Sequence, residues 1–266
     1  MQSSPRNLVE HVVSKVPEVT LGFWIIKIAC TTLGETGGDW VTMSLNLGYL
    51  IGTLIFFVAF VVLISAQIRA RKFYPFLYWA TIVATTTLGT TLADFCDRSL
   101  GLGYPGGVSI ILALLVASLA IWYRVEGTVS VESVVTARVE WFYWATILFS
   151  QTLGTALGDW VAGGDRGGLG LGYEVSAAIF GAGLVIVGLL WLWPRVSRTA
   201  LYWAAFVLTR PLGATLGDLL DKPLTQGGMQ FSRFYASGIL LAVILGCILL
   251  IPQRAARRVP VAVRER

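Results

Sequence analysis

Four aspartates recur at one spacing. Asp39, Asp94, Asp159 and Asp218 each close an apolar run in the pattern Trp-x9-Gly-x4-Asp, which begins at Trp24, Trp79, Trp144 and Trp203 and passes through Gly34, Gly89, Gly154 and Gly213. An ionisable side chain in an apolar helix points by default to an ion, proton or substrate pathway. Carboxylates held close together repel, so at least one of a group either binds a cation or keeps its proton. On a helix, the positions four, seven and eight before each aspartate lie near its face. They carry Glu35, Thr32 and Thr31 in the first copy, Thr90, Thr87 and Thr86 in the second, and Thr155, Thr152 and Gln151 in the third. The fourth copy has Ala214, Pro211 and Arg210. The candidate pathway residues are therefore the four aspartates with Glu35, Arg210, Thr32, Thr87, Thr152 and Gln151.

Arg210 breaks the pattern. An arginine inside an apolar segment is costly and is usually paired. Glu35 is the only acid in these runs besides the motif aspartates, and it is the expected partner. Pro211 leaves one backbone carbonyl without its helical donor. Lys27 is read as reaching back to the near membrane surface.

Other chemistry has little support. The single histidine, His11, falls in the polar first segment, which excludes imidazole-based metal sites and Ser-His catalysis. Cys30, Cys96 and Cys247 are scattered and suggest neither a disulfide framework nor a metal motif. No cofactor and no metal are expected. An aspartate dyad for hydrolysis needs two carboxylates with separated pKa values, and a fourfold repeat singles out no pair, so no enzyme activity is expected. The loop "AGGDRGGLGLGY" lacks the strand-loop-helix context of a phosphate cradle. Asp97, Asp165 and Asp221 read as loop-surface residues.

The elements that must position these groups follow from composition. The chain has 266 residues, 56% hydrophobic and 13% charged, against about 25% charged in soluble domains. Eight apolar stretches, near 20–39, 48–68, 75–94, 104–124, 140–159, 172–193, 199–218 and 232–252, suit the roughly 20 residues a span needs. The expectation is an all-α membrane protein of eight transmembrane helices. An arm over 1–19, read as a short polar segment or interfacial helix with no signal peptide, precedes a single membrane domain over 20–253. A basic tail, 254–266, follows it. Of the 20 lysines and arginines, fourteen fall on the side of the termini and four on the other. That bias predicts cytoplasmic termini. The net charge of +5 then reflects topology and contact with anionic lipid rather than nucleic acid.

The copies define repeats of about 20–70, 75–125, 140–194 and 199–253. A small residue follows each motif glycine by four, at Gly38, Ala93, Gly158 and Gly217. Such rows let helix backbones approach closely in lipid, so all eight positions are assigned to helix packing. The tryptophans lie roughly 22 Å from the aspartates and are assigned as interface anchors. Two spans per copy give every repeat the same orientation, which predicts parallel tandem hairpins about a pseudo-symmetry axis along the membrane normal. The polar-striped odd helices would lie inside and the apolar even helices outside.

With this repeat the chain resembles a bacterial membrane-protein family of four tandem two-helix repeats, each with a characteristic Trp, described as a repeat of unknown function. The resemblance covers about Leu21 to Pro252. It implies a bacterial inner-membrane location and supplies no reaction and no site residues. The residues themselves favour a channel or transporter for a small ion or polar solute, with the lipid bilayer as its other partner. The alternative is a non-transporting membrane partner or stress-response component with a dry, structural polar core.

Overall fold

The computed structural model describes residues 13–257. His11 and the outer parts of the arm and tail lie outside them. Eight helices account for most of the chain: α1 Leu21–Asp39, α2 Gly48–Arg69, α3 Pro75–Asp94, α4 Gly103–Glu126, α5 Ala137–Ala162, α6 Tyr173–Leu190, α7 Arg198–Asp221 and α8 Arg233–Leu250. Local chemistry sets their starts. Thr20, Thr136 and Ser197 accept hydrogen bonds from Phe23 N, Val139 N and Ala200 N, each satisfying one otherwise orphaned amide of the first turn. Pro75 opens α3, where its missing N–H costs nothing. A π-helical turn extends α1 over Trp40–Ser44 and α3 over Phe95–Ser99. Helix α7 runs through Pro211 without ending.

The odd helices form a closed ring in which α1 packs on α3, α3 on α5, α5 on α7 and α7 on α1. Each even helix packs chiefly on the odd helix of the following copy: α2 on α3, α4 on α5, α6 on α7, and α8 back on α1. The last hairpin thus closes the ring onto the first. The reason is chemical. The odd helices carry hydroxyls and charges that need partners, whereas α2, α4, α6 and α8 are apolar enough and long enough to cross a membrane. Their outward faces expose Leu54, Phe57, Val58, Val116, Val185 and Ile239.

Small residues permit the close contacts of the ring. A Cβ on Gly34 would lie 2.5 Å from Thr86, and one on Gly38 3.1 Å from Thr90. Gly89 faces the backbone of Gln151 and Thr152 at 2.9 Å, Gly154 faces Arg210 and Pro211, and Gly213 faces Thr31. Gly158 meets Ala214 at 3.2 Å and Gly217 meets Glu35 at 2.6 Å. Ala93 is fully buried.

The segment before α1 differs from the expected arm. Val13–Pro17 is a strand, β1, paired antiparallel with β2, Ala255–Arg257. The Ser14 hydroxyl donates to the carbonyls of Val131 and Val134, and Lys15 binds the Ile68 carbonyl at 3.0 Å and Glu140 at 2.6 Å. Backbone pairing and these polar contacts satisfy the segment without a helix. The ribbon joins the two termini across the end of the bundle that holds the motif tryptophans.

Candidate functional site

The ring interior is layered along its length. At the tryptophan end, each residue before a motif Trp is aromatic: Phe23, Tyr78, Tyr143 and Tyr202. Each stacks near the tryptophan of the next copy, Phe23 on Trp79 at 5.4 Å, Tyr78 on Trp144 at 5.7 Å, Tyr143 on Trp203 at 6.3 Å and Tyr202 on Trp24 at 5.8 Å between centroids. The hydroxyls of Tyr78 and Tyr143 share a 2.7 Å hydrogen bond. Trp24, Trp79, Trp144 and Trp203, assigned from the sequence as interface anchors, form a closed aromatic layer with these neighbours. Trp79, Trp144 and Trp203 are buried and Trp24 is half-buried. The ring N–H groups of Trp79 and Trp203 donate to Gln253 Oε1 and to the Val129 carbonyl.

Next comes Lys27. It does not reach back to a surface. It is completely buried, with Nζ donating to Gln151 Oε1 at 3.3 Å and lying 4.2 Å from the centre of the Phe206 ring. Ile82, Ile147 and Phe206, at the equivalent positions of the other copies, are likewise fully buried.

The centre is organised by Arg210. Its Nη2 donates to Glu35 Oε2 at 3.0 Å, to Thr155 Oγ1 at 2.6 Å and to Thr90 Oγ1. Thr90 in turn donates to Glu35 at 3.3 Å. Glu35, Thr90, Thr155 and Ala214 occupy the same position in the four copies. One guanidinium therefore serves three of the four, while the alanine of its own helix leaves room for it. Arg210 is fully buried and Glu35 nearly so, a placement that is tolerable only with this many donors and acceptors in register. Thr32, Thr87 and Thr152 are not drawn into this network. Their hydroxyls donate to carbonyls four residues back in their own helices, the usual local outlet for a mid-helix threonine. The hydroxyls that face the centre are those of Thr90 and Thr155.

At the far end the four motif aspartates are all buried, from 0% to 5% exposed. Two cations bridge them in pairs. Arg98 contacts Asp94 at 2.6 Å and Asp159 at 3.3 Å. Lys222 contacts Asp218 at 2.9 Å and also Asp39. Sequence reasoning assigned both cations to the outer side and gave them no role. The signal was present, since each stands four residues after its aspartate, the spacing at which opposite charges meet on a helix. The equivalent positions of the first and third copies hold Met43 and Gly163, so cations alternate around the ring. Burial would lower the Lys222 pKa, but Asp218 and Asp39 outweigh it and hold the ammonium well above its usual range.

Asp97 and Asp221 are not surface residues either. Asp221 is buried against Arg233 at 2.8 Å. Asp97 packs on Gly107, with neither oxygen meeting a hydrogen-bond donor among the described residues. Burial, and then the charge of Asp159, push its carboxyl up to about 7. Asp165, at the rim, is exposed. A cleft of about 390 Å³ opens beside the aspartate layer and is lined in part by Arg98, Tyr104, Asp159, Tyr173, Lys222 and Gln226.

Chemically, the interior offers oxygen donors and fixed cations. Five buried carboxylates (Glu35, Asp39, Asp94, Asp159 and Asp218) share the ring interior with four buried or mostly buried cations, Lys27, Arg98, Arg210 and Lys222. Such a set suits protons or hard cations rather than soft metals. Among curated proteins and among solved structures, nothing matches this chain. A family model described as Repeat of Unknown Function (DUF347) matches four times in tandem, over residues 22–73, 77–128, 142–197 and 201–254. Those four matches cover most of the chain, which therefore belongs to this family of tandem repeats of unknown function.

Proposed function

We propose that the protein is an integral membrane transporter or channel for a small cation or proton-linked polar solute, with the aspartate layer as its binding region. The observation that carries this reading is the imbalance of charge in the aspartate layer, where two cations, Arg98 and Lys222, bridge four buried carboxylates. Buried charge without compensation is unstable, and a mobile cation or proton is the natural remainder. A cleft opens beside the aspartate layer, and the aromatic layer fills the other end of the ring. That asymmetry suits a state closed on one side.

In this reading all eight helices cross the bacterial inner membrane as four parallel repeats about an axis along the membrane normal. Both termini are cytoplasmic, as the distribution of lysine and arginine favours. Lipid and a small ion or solute are its partners, nucleic acid is not, and it is not an enzyme.

A second reading has its own support. Arg210 and Lys27 are fully buried and the central threonines are hydrogen-bonded within the protein, as a dry structural core of a non-transporting membrane component would require. The two are separated by reconstituting the purified protein in vesicles. Flux of Na⁺, K⁺, H⁺, Mg²⁺ or Mn²⁺ above that of protein-free vesicles supports transport. No flux across this panel, together with small anions and amino acids, favours the structural component.

A further inference from the structure

The two cation bridges of the aspartate layer are not equivalent. Arg98 is a planar, always charged group whose two contacts lie 2.6 and 3.3 Å from Asp94 and Asp159. Lys222 is a compact ammonium on a flexible stem, and it sits where three acids converge. One carboxylate oxygen from each of Glu35, Asp39 and Asp218 lies within 4.8 Å of the others. All three residues are at most 2% exposed. Asp39 Oδ1 has no hydrogen-bond donor although its residue is fully buried, so coordinating capacity is left over after Lys222 has taken Oδ2.

We propose that Glu35, Asp39 and Asp218 form a site for a divalent hard cation, and that the Lys222 ammonium occupies it in this conformation as a tethered stand-in that the ion displaces. This names the cation class of the transport reading above and rests on it. The donors are all oxygens, as Mg²⁺, Mn²⁺ and Ca²⁺ prefer. Charge selects the valence. With Lys222 withdrawn, three carboxylates face one fixed guanidinium, since Arg210 stays on Glu35 at 3.0 Å. The remainder is two negative charges, which one divalent ion neutralises and one monovalent ion does not. Arg233 does not change this count, because Asp221 holds it at 2.8 Å while Asp39 lies 3.8 Å away. Lys222 lies just beyond the end of α7, where its stem can swing towards the cleft that it already lines.

The test is ion-dependent thermal stability of the detergent-purified full chain. MgCl₂, MnCl₂ and CaCl₂ are compared with N-methylglucamine chloride at matched ionic strength. Ligand that binds only the folded state raises Tm, and removing an internal competitor shifts that response to lower concentration. In Lys222→Met the divalent response should appear at an about tenfold lower concentration than in the wild type, and Lys222→Met/Asp39→Asn should lose it. A folded, monodisperse Lys222→Met protein with no divalent-specific response overturns the site, as does an undiminished response in the double variant. Should Lys222→Met fail to fold, Mn²⁺ binding to the wild type, followed by loss of the aqueous Mn²⁺ electron paramagnetic resonance signal, carries the test. Weakening of about tenfold in both Glu35→Gln and Asp39→Asn supports the site, and unchanged binding in both overturns it. Divalent binding without flux refutes transport and leaves the site standing. Flux that ignores these substitutions refutes the site and leaves transport standing.

Discussion

Arg210 on α7 and Glu35 on α1 meet at 3.0 Å inside the ring, and Thr90 and Thr155 complete the same hydrogen-bonded group. The contact joins the last repeat to the first and brings in hydroxyls from the two between them. Removing one partner of such a buried pair leaves an uncompensated charge, at a cost of about 3–5 kcal/mol. Arg210→Met should lower the stability of the detergent-purified protein by that order. Arg210→Met/Glu35→Met should recover much of the loss, because an apolar pair leaves no charge behind. Denaturant unfolding of the three proteins measures this directly, and additive losses would mean that the two residues act independently.

Glycine contacts give a second expectation. A methyl on Gly154 meets the Arg210 side chain, whereas one on Gly181 meets nothing within 4 Å. Gly154→Ala should therefore destabilise by about 1–3 kcal/mol through overpacking. Gly181→Ala should be neutral or slightly stabilising, since alanine is the better helix former. Thermal unfolding of the two variants in one detergent provides the comparison.

The aromatic layer predicts unequal tryptophans. Trp144→Ala empties a fully enclosed position and should cost about 3–5 kcal/mol. Trp24→Ala should cost distinctly less, because Trp24 is only half-buried. Equal losses in chemical denaturation would mean that the first copy is sealed as tightly as the third.

A pH dependence follows from Asp97. Burial chiefly pushes its folded carboxyl up to about 7, from an ordinary aspartate value of 3.8. Between these values the folded state holds the proton more tightly than the unfolded state. Stability from this group is therefore greatest at acid pH and falls as pH rises towards 7. Asp97→Asn keeps the shape without the charge, so Tm measured from pH 5 to pH 8 should fall less steeply in the variant than in the wild type.

Much of this was legible in the sequence because the repeat makes the pattern redundant. Hydropathy placed eight helices within a few residues, and the polar stripe on the odd helices anticipated the pairing of Glu35 with Arg210. The misreadings share a cause. Lys27 and Asp97 were each assigned from the average behaviour of their residue type near a membrane surface, whereas neighbours far away in sequence enclose them. Lys27 is enclosed by Gln151 and Phe206. Thr32 could not be told from Thr31 by spacing alone: both hydroxyls reach the Ile28 carbonyl, and only packing lets Thr31 also meet the Thr209 carbonyl of α7. Arg98 and Lys222 were visible at four residues from Asp94 and Asp218, but their membership of a loop concealed them.

The central claim is that the aspartate layer handles the transported ion. The most direct measurement is the initial flux of wild type and Asp39→Asn in the same vesicle preparation, at equal reconstitution confirmed by quantitative blotting. Asparagine keeps the size and much of the hydrogen bonding of Asp39 while removing its charge. The account predicts flux in the wild type and its loss in Asp39→Asn, with both proteins monodisperse. Undiminished flux in Asp39→Asn would contradict it.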